Sequence, residues 1–123
     1  MLAKVACFAL NGLEGVPVEA EVDIHNGLPA FDIVGLADTA VKESRERVRS
    51  AVKNSGGKIP PKRITVNLAP ADVKKEGSSF DLAIAIGVLK ASEQLRADTD
   101  GYVLLGELSL DGSIRRVNGI LPA

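Results

Sequence analysis

The chain has 123 residues, 46% of them hydrophobic and 25% charged, with a formal net charge of −1 at pH 7. That is about one domain, long enough to bury roughly two-thirds of the surface its unfolded form exposes, so no metal or disulfide staple is required. No apolar run approaches the ~18 residues of a membrane span, a lone cysteine gives no disulfide framework, and a single histidine rules out a histidine-based metal cluster.

Residues 2–10 read as a strand, and MLAKVACFAL lacks the cleavage site of a signal peptide. Cys7 within that run reads as inert core in a reducing, cytoplasmic setting. Asn11 to Gly15 turns the chain into a second strand, Val16 to about His25, where Val18, Ala20, Val22 and Ile24 alternate with Glu19, Glu21, Asp23 and His25. One face is core and the other wet and acidic. It reads as a solvated edge, because carboxylates on one strand face seldom close a coordination shell without a converging loop. His25 followed by Asn26-Gly27 is a hairpin signal, and Ala30–Val34 is a third strand ended by Gly35. Asp38 is placed to cap a helix that runs to about Asn54, with Ala37, Val41, Val48, Ala51 and Val52 at helical spacing.

On that helix Lys42, Arg45, Arg49 and Lys53 recur at intervals of three, four and four and form a stripe. From Lys42 to Arg63 eight basic side chains stand against two acidic ones, Glu43 and Glu46, so the near-neutral total conceals a basic segment. Such a segment is either an electropositive binding face or the solvated outer side of a helix. Ser55-Gly56-Gly57 ends the helix, Pro60-Pro61 stiffens the connection, and RITVNL from Arg63 is a buried strand. Gly56-Gly57-Lys58 lacks the earlier glycine, the hydroxyl after the lysine and the following helix of a Walker loop, so no nucleotide cofactor is expected on this chain.

The stretch KKEGSSFDLAIAIGVL, Lys74 to Leu89, leads into a helix from Ser79 to about Ala91 that is apolar on nearly every face, as suits a helix sandwiched between layers. A glycine before a serine at a helix start has two readings. It can present a hydroxyl to a developing negative charge at the helix N-terminus. It can equally be a capping box, Ser78-x-x-Asp81, with Ser78 as cap, Ser79 in the first turn and the Asp81 carboxylate reaching back. Tyr102–Leu105 and Leu108–Leu110 then read as strand, Asp111-Gly112 as a tight turn and Ser113–Val117 as a returning strand, and a further helix begins at Leu121-Pro122. The order of elements is that of an α/β (α+β) domain with one layer of helices on one sheet.

Three segments, GLPAFDIVGLADTAVKESRERVRSAV, RITVNLAPADVKKEGSSFDLAIAIGVL and GELSLDGSIRRVNGILPA, together resemble the N-terminal domain of the magnesium-chelatase-like AAA+ ATPases of the ComM/YifB type. The resemblance implies that residues 1–123 are a single Lon-protease-like domain of the ribosomal-protein-S5-domain-2-like fold, a two-layer sandwich of a mixed sheet and helices. It further implies a longer parent protein, from which this domain is excised without its last helix, with ATP and Mg2+ bound in a separate ATPase module. The family's ComM members are described as DNA helicases that promote branch migration in natural transformation. The partners implied are DNA, the protein's own AAA+ module and further copies of itself, with no membrane.

Lon proteases place a nucleophilic serine after a turn that matches Lys75-Glu76-Gly77-Ser78-Ser79, which puts Ser79 at the nucleophile position. Their lysine base falls at about Leu121, which cannot take a proton, and Arg115 and Arg116 do not deprotonate. The implied role is therefore non-catalytic, contributing DNA or assembly contacts. The alternatives are a Ser-dependent Lon-like hydrolase whose base comes from elsewhere, and a regulatory protein-interaction domain of a chelatase-type motor. The residues available for phosphates are Lys42, Arg45, Arg49, Lys53, Lys58, Lys62, Arg63, Lys74 and Lys75, with no aromatic residue interleaved, which points to sequence-independent contacts with the DNA backbone.

Overall fold

Period-two alternation over the first 25 residues produces two long strands, β1 (Leu2–Asn11) and β2 (Glu14–His25), in the computed structural model of the chain. The structure describes residues 1–11, 14–71, 75, 79–96, 104 and 106–115. The two strands pair antiparallel, with Val5 opposite Ala20 and Cys7 opposite Val18. That register gathers Val5, Cys7, Ala9, Val18, Ala20 and Val22 on one buried face. Burial, with a smaller contribution from the charge of Glu19, pushes the Cys7 thiol up to about 12, so it is inert core as its position in the strand suggests.

The third strand, β3 (Ala30–Val34), does not pair with β2. Helix α1 (Asp38–Asn54) carries the chain back so that β4 (Arg63–Ala69) inserts between them, antiparallel to β2 and parallel to β3, giving the order β1-β2-β4-β3. Two sequence expectations are corrected by this insertion. Asn26-Gly27 forms no hairpin turn, because residues 26–29 carry the chain across the place that β4 fills. Nor is β2 an edge strand: it is bonded on both sides, and its wet face is the outer face of the sheet, where Glu21 accepts from Asn67 Nδ2 at 2.9 Å. The β3 and β4 strands place Ile33, Ile64, Val66 and Leu68 on the same inner face as the first pair.

Both helices lie on that inner face. Helix α2 (Asp81–Ala91) packs on β1 and β2, and α1 packs on α2 and β3. The buried set on α1 is Ser44, Val48, Ala51 and Val52. Asp38 is its first helical residue and not its cap. The cap position is Ala37, with no side-chain hydrogen bond, so Asp38 acts through the positive end of the helix dipole. At the other end Gly56, at φ +89°, turns the chain in the left-handed conformation that glycine adopts without a Cβ clash, and Gly57 N donates to Val52 O at 2.9 Å.

A small hairpin completes the described fold: β5 (Glu107–Leu108) pairs antiparallel with β6 (Ile114–Arg115). The strand expected over Leu108–Leu110 is cut short, because the turn begins at Ser109, whose N–H donates to Ser113 O while its carbonyl accepts from Gly112 N. The turn at Asp111-Gly112 is present, with Asp111 Oδ1 accepting from both Ser113 N and Ser113 Oγ. Leu104 N donates to Ala6 O at 2.8 Å, which places that residue beside β1. The rest of the expected 102–105 strand, the end of the 113–117 strand and the helix start at 121–122 lie outside the described residues. The observed arrangement is α+β, a two-layer sandwich of a mixed four-stranded sheet and two helices.

Candidate functional site

At the Lon nucleophile position the chemistry is dominated by a carboxylate. Asp81, the first residue of α2, is fully buried. Its Oδ1 accepts from Ser44 Oγ at 2.7 Å and from Arg47 Nη2 at 3.3 Å, while Oδ2 accepts from Arg47 Nε at 2.5 Å and from Leu108 N at 3.2 Å. One side chain thereby ties together α1, α2 and β5. The hydrogen bond that Arg47 donates to Asp81 raises the Arg47 pKa above its ordinary value, against desolvation, so the guanidinium stays charged. Arg47 also lies 3.8 Å from Glu43 Oε2, one helical turn away.

The reaching-back role expected for Asp81 is therefore not what it does. The N-cap position of α2 is Phe80, with no side-chain cap, and the orphan N–H of Leu82 donates to the Gly106 carbonyl at 3.1 Å. Gly106 N in turn donates to Ser79 O at 3.0 Å. Ser79 sits in the turn before the helix and is only 6% exposed, with the buried Phe80 beside it. Ser78 lies outside the described residues.

The nine expected phosphate contacts divide into three groups. Lys42, Lys53, Lys58 and Lys62 are exposed. The arginines are engaged with the sheet: Arg45 Nη1 donates to Phe31 O at 3.1 Å, the Arg49 guanidinium stands 5.6 Å over the Phe31 ring, and Arg63 Nη2 is 3.6 Å from Asp32 Oδ2. Lys75 is buried at 6% exposure, so it does not share a surface with the others, and Lys74 lies outside the described residues. Lys53, Lys58 and Arg49 come together around a depression of about 430 Å³ whose remaining lining is Gly57 and Ile59.

Sequence reasoning missed Ser44 and Arg47. Ser44 falls on the apolar stripe between Val41 and Val48, and a polar residue on a buried stripe needs a buried partner. Asp81, the only charge at the start of an otherwise apolar helix, was the visible candidate.

The sequence profile described as subunit ChlI of Mg-chelatase matches residues 20–123. The chain belongs to the ChlI family. Among ChlI-like relatives, it is 54% identical over 123 residues to YifB of Escherichia coli strain K12 and 50% identical to competence protein ComM of Haemophilus influenzae, covering 99% of this chain and 24% of each of those proteins. It is also 23% identical over 132 residues to Lon protease 2 of Bacillus subtilis, covering 96% of this chain. The chain thus spans about a quarter of the length of the curated relatives it matches. In this ChlI-family chain Gly56-Gly57-Lys58 leads from α1 towards β4, so no helix N-terminus follows the glycines as it does in a Walker loop. Among the described residues no three His, Cys, Asp or Glu side chains group as metal ligands, and no helix is long and apolar enough to cross a membrane.

Proposed function

We propose that this chain is a non-catalytic N-terminal domain of a magnesium-chelatase-like AAA+ ATPase of the ComM/YifB type, working in the cytoplasm on DNA. Its part is to hold the DNA backbone while a separate module of the parent protein binds ATP and Mg2+. The supporting observation is the set of exposed lysines along and just after α1, Lys42, Lys53, Lys58 and Lys62, which can approach phosphates without breaking any ion pair among the described residues. A relative half identical to this chain is named competence protein ComM, and the proposal extends to this domain the DNA role that the family resemblance implies.

Binding of this kind follows counterion release, so it is strong at low salt and falls steeply as salt rises. Titration of the chain with single-stranded and duplex DNA at several salt concentrations is expected to give measurable, sequence-independent affinity at low salt. The exposed double reversal Lys42→Glu/Lys53→Glu is expected to remove most of it. Equal affinity and equal salt slope in wild type and variant would sink the proposal.

The non-catalytic part rests on two features. The family resemblance puts the Lon base at about Leu121, a leucine, and Ser79 is buried to 6% exposure, which works against the approach of a substrate carbonyl. A fluorophosphonate probe is expected to leave the chain unlabelled. Labelling that disappears in Ser79→Ala would establish the hydrolase reading instead.

A further inference from the structure

We propose that the depression beside the C-terminal end of α1 is a subsite for one nucleotide unit of single-stranded DNA, with the phosphate held by Arg49, Lys53 and Lys58 and the base lying against Gly57 and Ile59. The proposal deepens the DNA reading above and rests on it. Its volume of about 430 Å³ falls within the range of roughly 300–1,000 Å³ typical of small-ligand sites. Every ionisable group in its lining is cationic. None of the three enters an ion pair among the described residues, whereas Arg47 and Arg63 are both paired with carboxylates. The positive charge of the depression is therefore available to a ligand.

Two of the three cationic positions are held in place. Arg49 lies over the ring of Phe31, and Arg45 fixes the same residue through its carbonyl. The main chain of Lys58 is clamped from both sides by one amide: Lys58 N donates to Gln94 Oε1 at 2.8 Å, and Gln94 Nε2 donates to Lys58 O at 2.7 Å. The clamp is steadied in turn by a bond from Gln94 Nε2 to Ser92 Oγ at 2.7 Å. Pre-set geometry of this kind lowers the ordering cost of binding. The floor is apolar. Ile59 packs against the core, and Gly57 lies so close to it that an added Cβ would stand 3.0 Å from Val52 Cγ1 and 3.2 Å from Leu89 Cδ2.

Cations around an apolar floor match a ligand with an anionic end and a flat, uncharged body. A bare phosphate would leave the Gly57–Ile59 surface uncovered, and a duplex keeps its bases stacked inside. A single strand offers both parts, one phosphate and one unstacked base per nucleotide.

The test uses the whole chain, an oligodeoxythymidine, and an abasic strand of the same length. Backbone amide NMR shifts on titration are expected at Lys53, Gly57, Lys58 and Ile59. Replacing both lysines, Lys53→Gln/Lys58→Gln, is expected to weaken oligodeoxythymidine binding roughly tenfold and to lower the salt slope by about one, the signature of one lost phosphate contact. The abasic strand is expected to bind wild type several-fold more weakly, since it lacks the base that would cover the apolar Gly57–Ile59 surface. If DNA binds but the double variant is indifferent, or the abasic strand binds equally well, the subsite is overturned and the DNA reading stands. If wild type binds no DNA at low salt, the DNA reading itself falls and the subsite with it.

Discussion

Asp81→Ala is expected to destabilise the domain by about 3–5 kcal/mol, the range found when one partner of a buried ion pair is removed. Asp81 is 0% exposed, and its carboxylate receives four hydrogen bonds from three residues on two other elements, α1 and β5. Its loss leaves Ser44 Oγ and Leu108 N without their acceptor and Arg47, one-fifth exposed, without its buried counter-charge. Asp81→Asn is expected to cost less, because an amide oxygen can still accept from Ser44 or Leu108. Urea unfolding of the three proteins gives the comparison, and a loss below about 1 kcal/mol in Asp81→Ala would show that the cluster is not the tie described here.

The second large effect is expected at Gly87. In an exposed helix, replacing glycine by alanine gains about 1 kcal/mol. Here the new Cβ would lie 2.5 Å from Val22 Cγ2 and 3.8 Å from Val5 Cγ2, where α2 crosses β1 and β2. Val22 is fully buried on a strand bonded on both sides, opposite Ala3 on one neighbour and Val66 on the other, so it cannot swing away. Overpacking typically costs about 1–3 kcal/mol, and at this contact distance it outweighs the helix gain. Gly87→Ala is thus expected to be destabilising, and adding Val22→Ala is expected to cost less than the sum of the two single changes by about 1 kcal/mol or more. Strict additivity in thermal or urea unfolding would refute the contact.

Local pattern carried much of the fold. The alternation in β1 and β2, the β-branched run of β4 and the apolar stripe of α1 gave those elements nearly to the residue, and Gly56 marked the end of α1 through its backbone requirement. What local pattern did not carry was which strand lies beside which. Asn26-Gly27 is a hairpin signal in isolation, yet the neighbour of β2 comes from residues that follow a whole helix, and that choice is made by packing. The same limit applies at Asp81. A Ser-x-x-Asp spacing looks like a capping box within four residues, but the groups that engage the carboxylate lie 37, 34 and 27 residues away. The basic stripe was visible, while its division into exposed lysines and arginines held against Phe31 depended on where β3 lies beneath α1.

The position of β4 at the centre of the sheet also sets an order of events in folding. The β1–β2 pair is local and can close early, since a short connection costs little loop entropy. Among the described residues strand β3 has no partner other than β4, and β2 keeps an open edge until β4 arrives. A nascent chain that has emerged only as far as α1 therefore carries, still open, the edges of β2 and β3 that β4 will fill, and an uncovered apolar helix face. Docking of β4 closes both edges, antiparallel to β2 and parallel to β3, and the parallel pairing spans a crossover of a full helix, the kind of non-local contact that forms slowly and leaves edges open to other chains in the meantime. In this domain the passage most vulnerable to misassembly is the interval between synthesis of α1 and docking of residues 63–69.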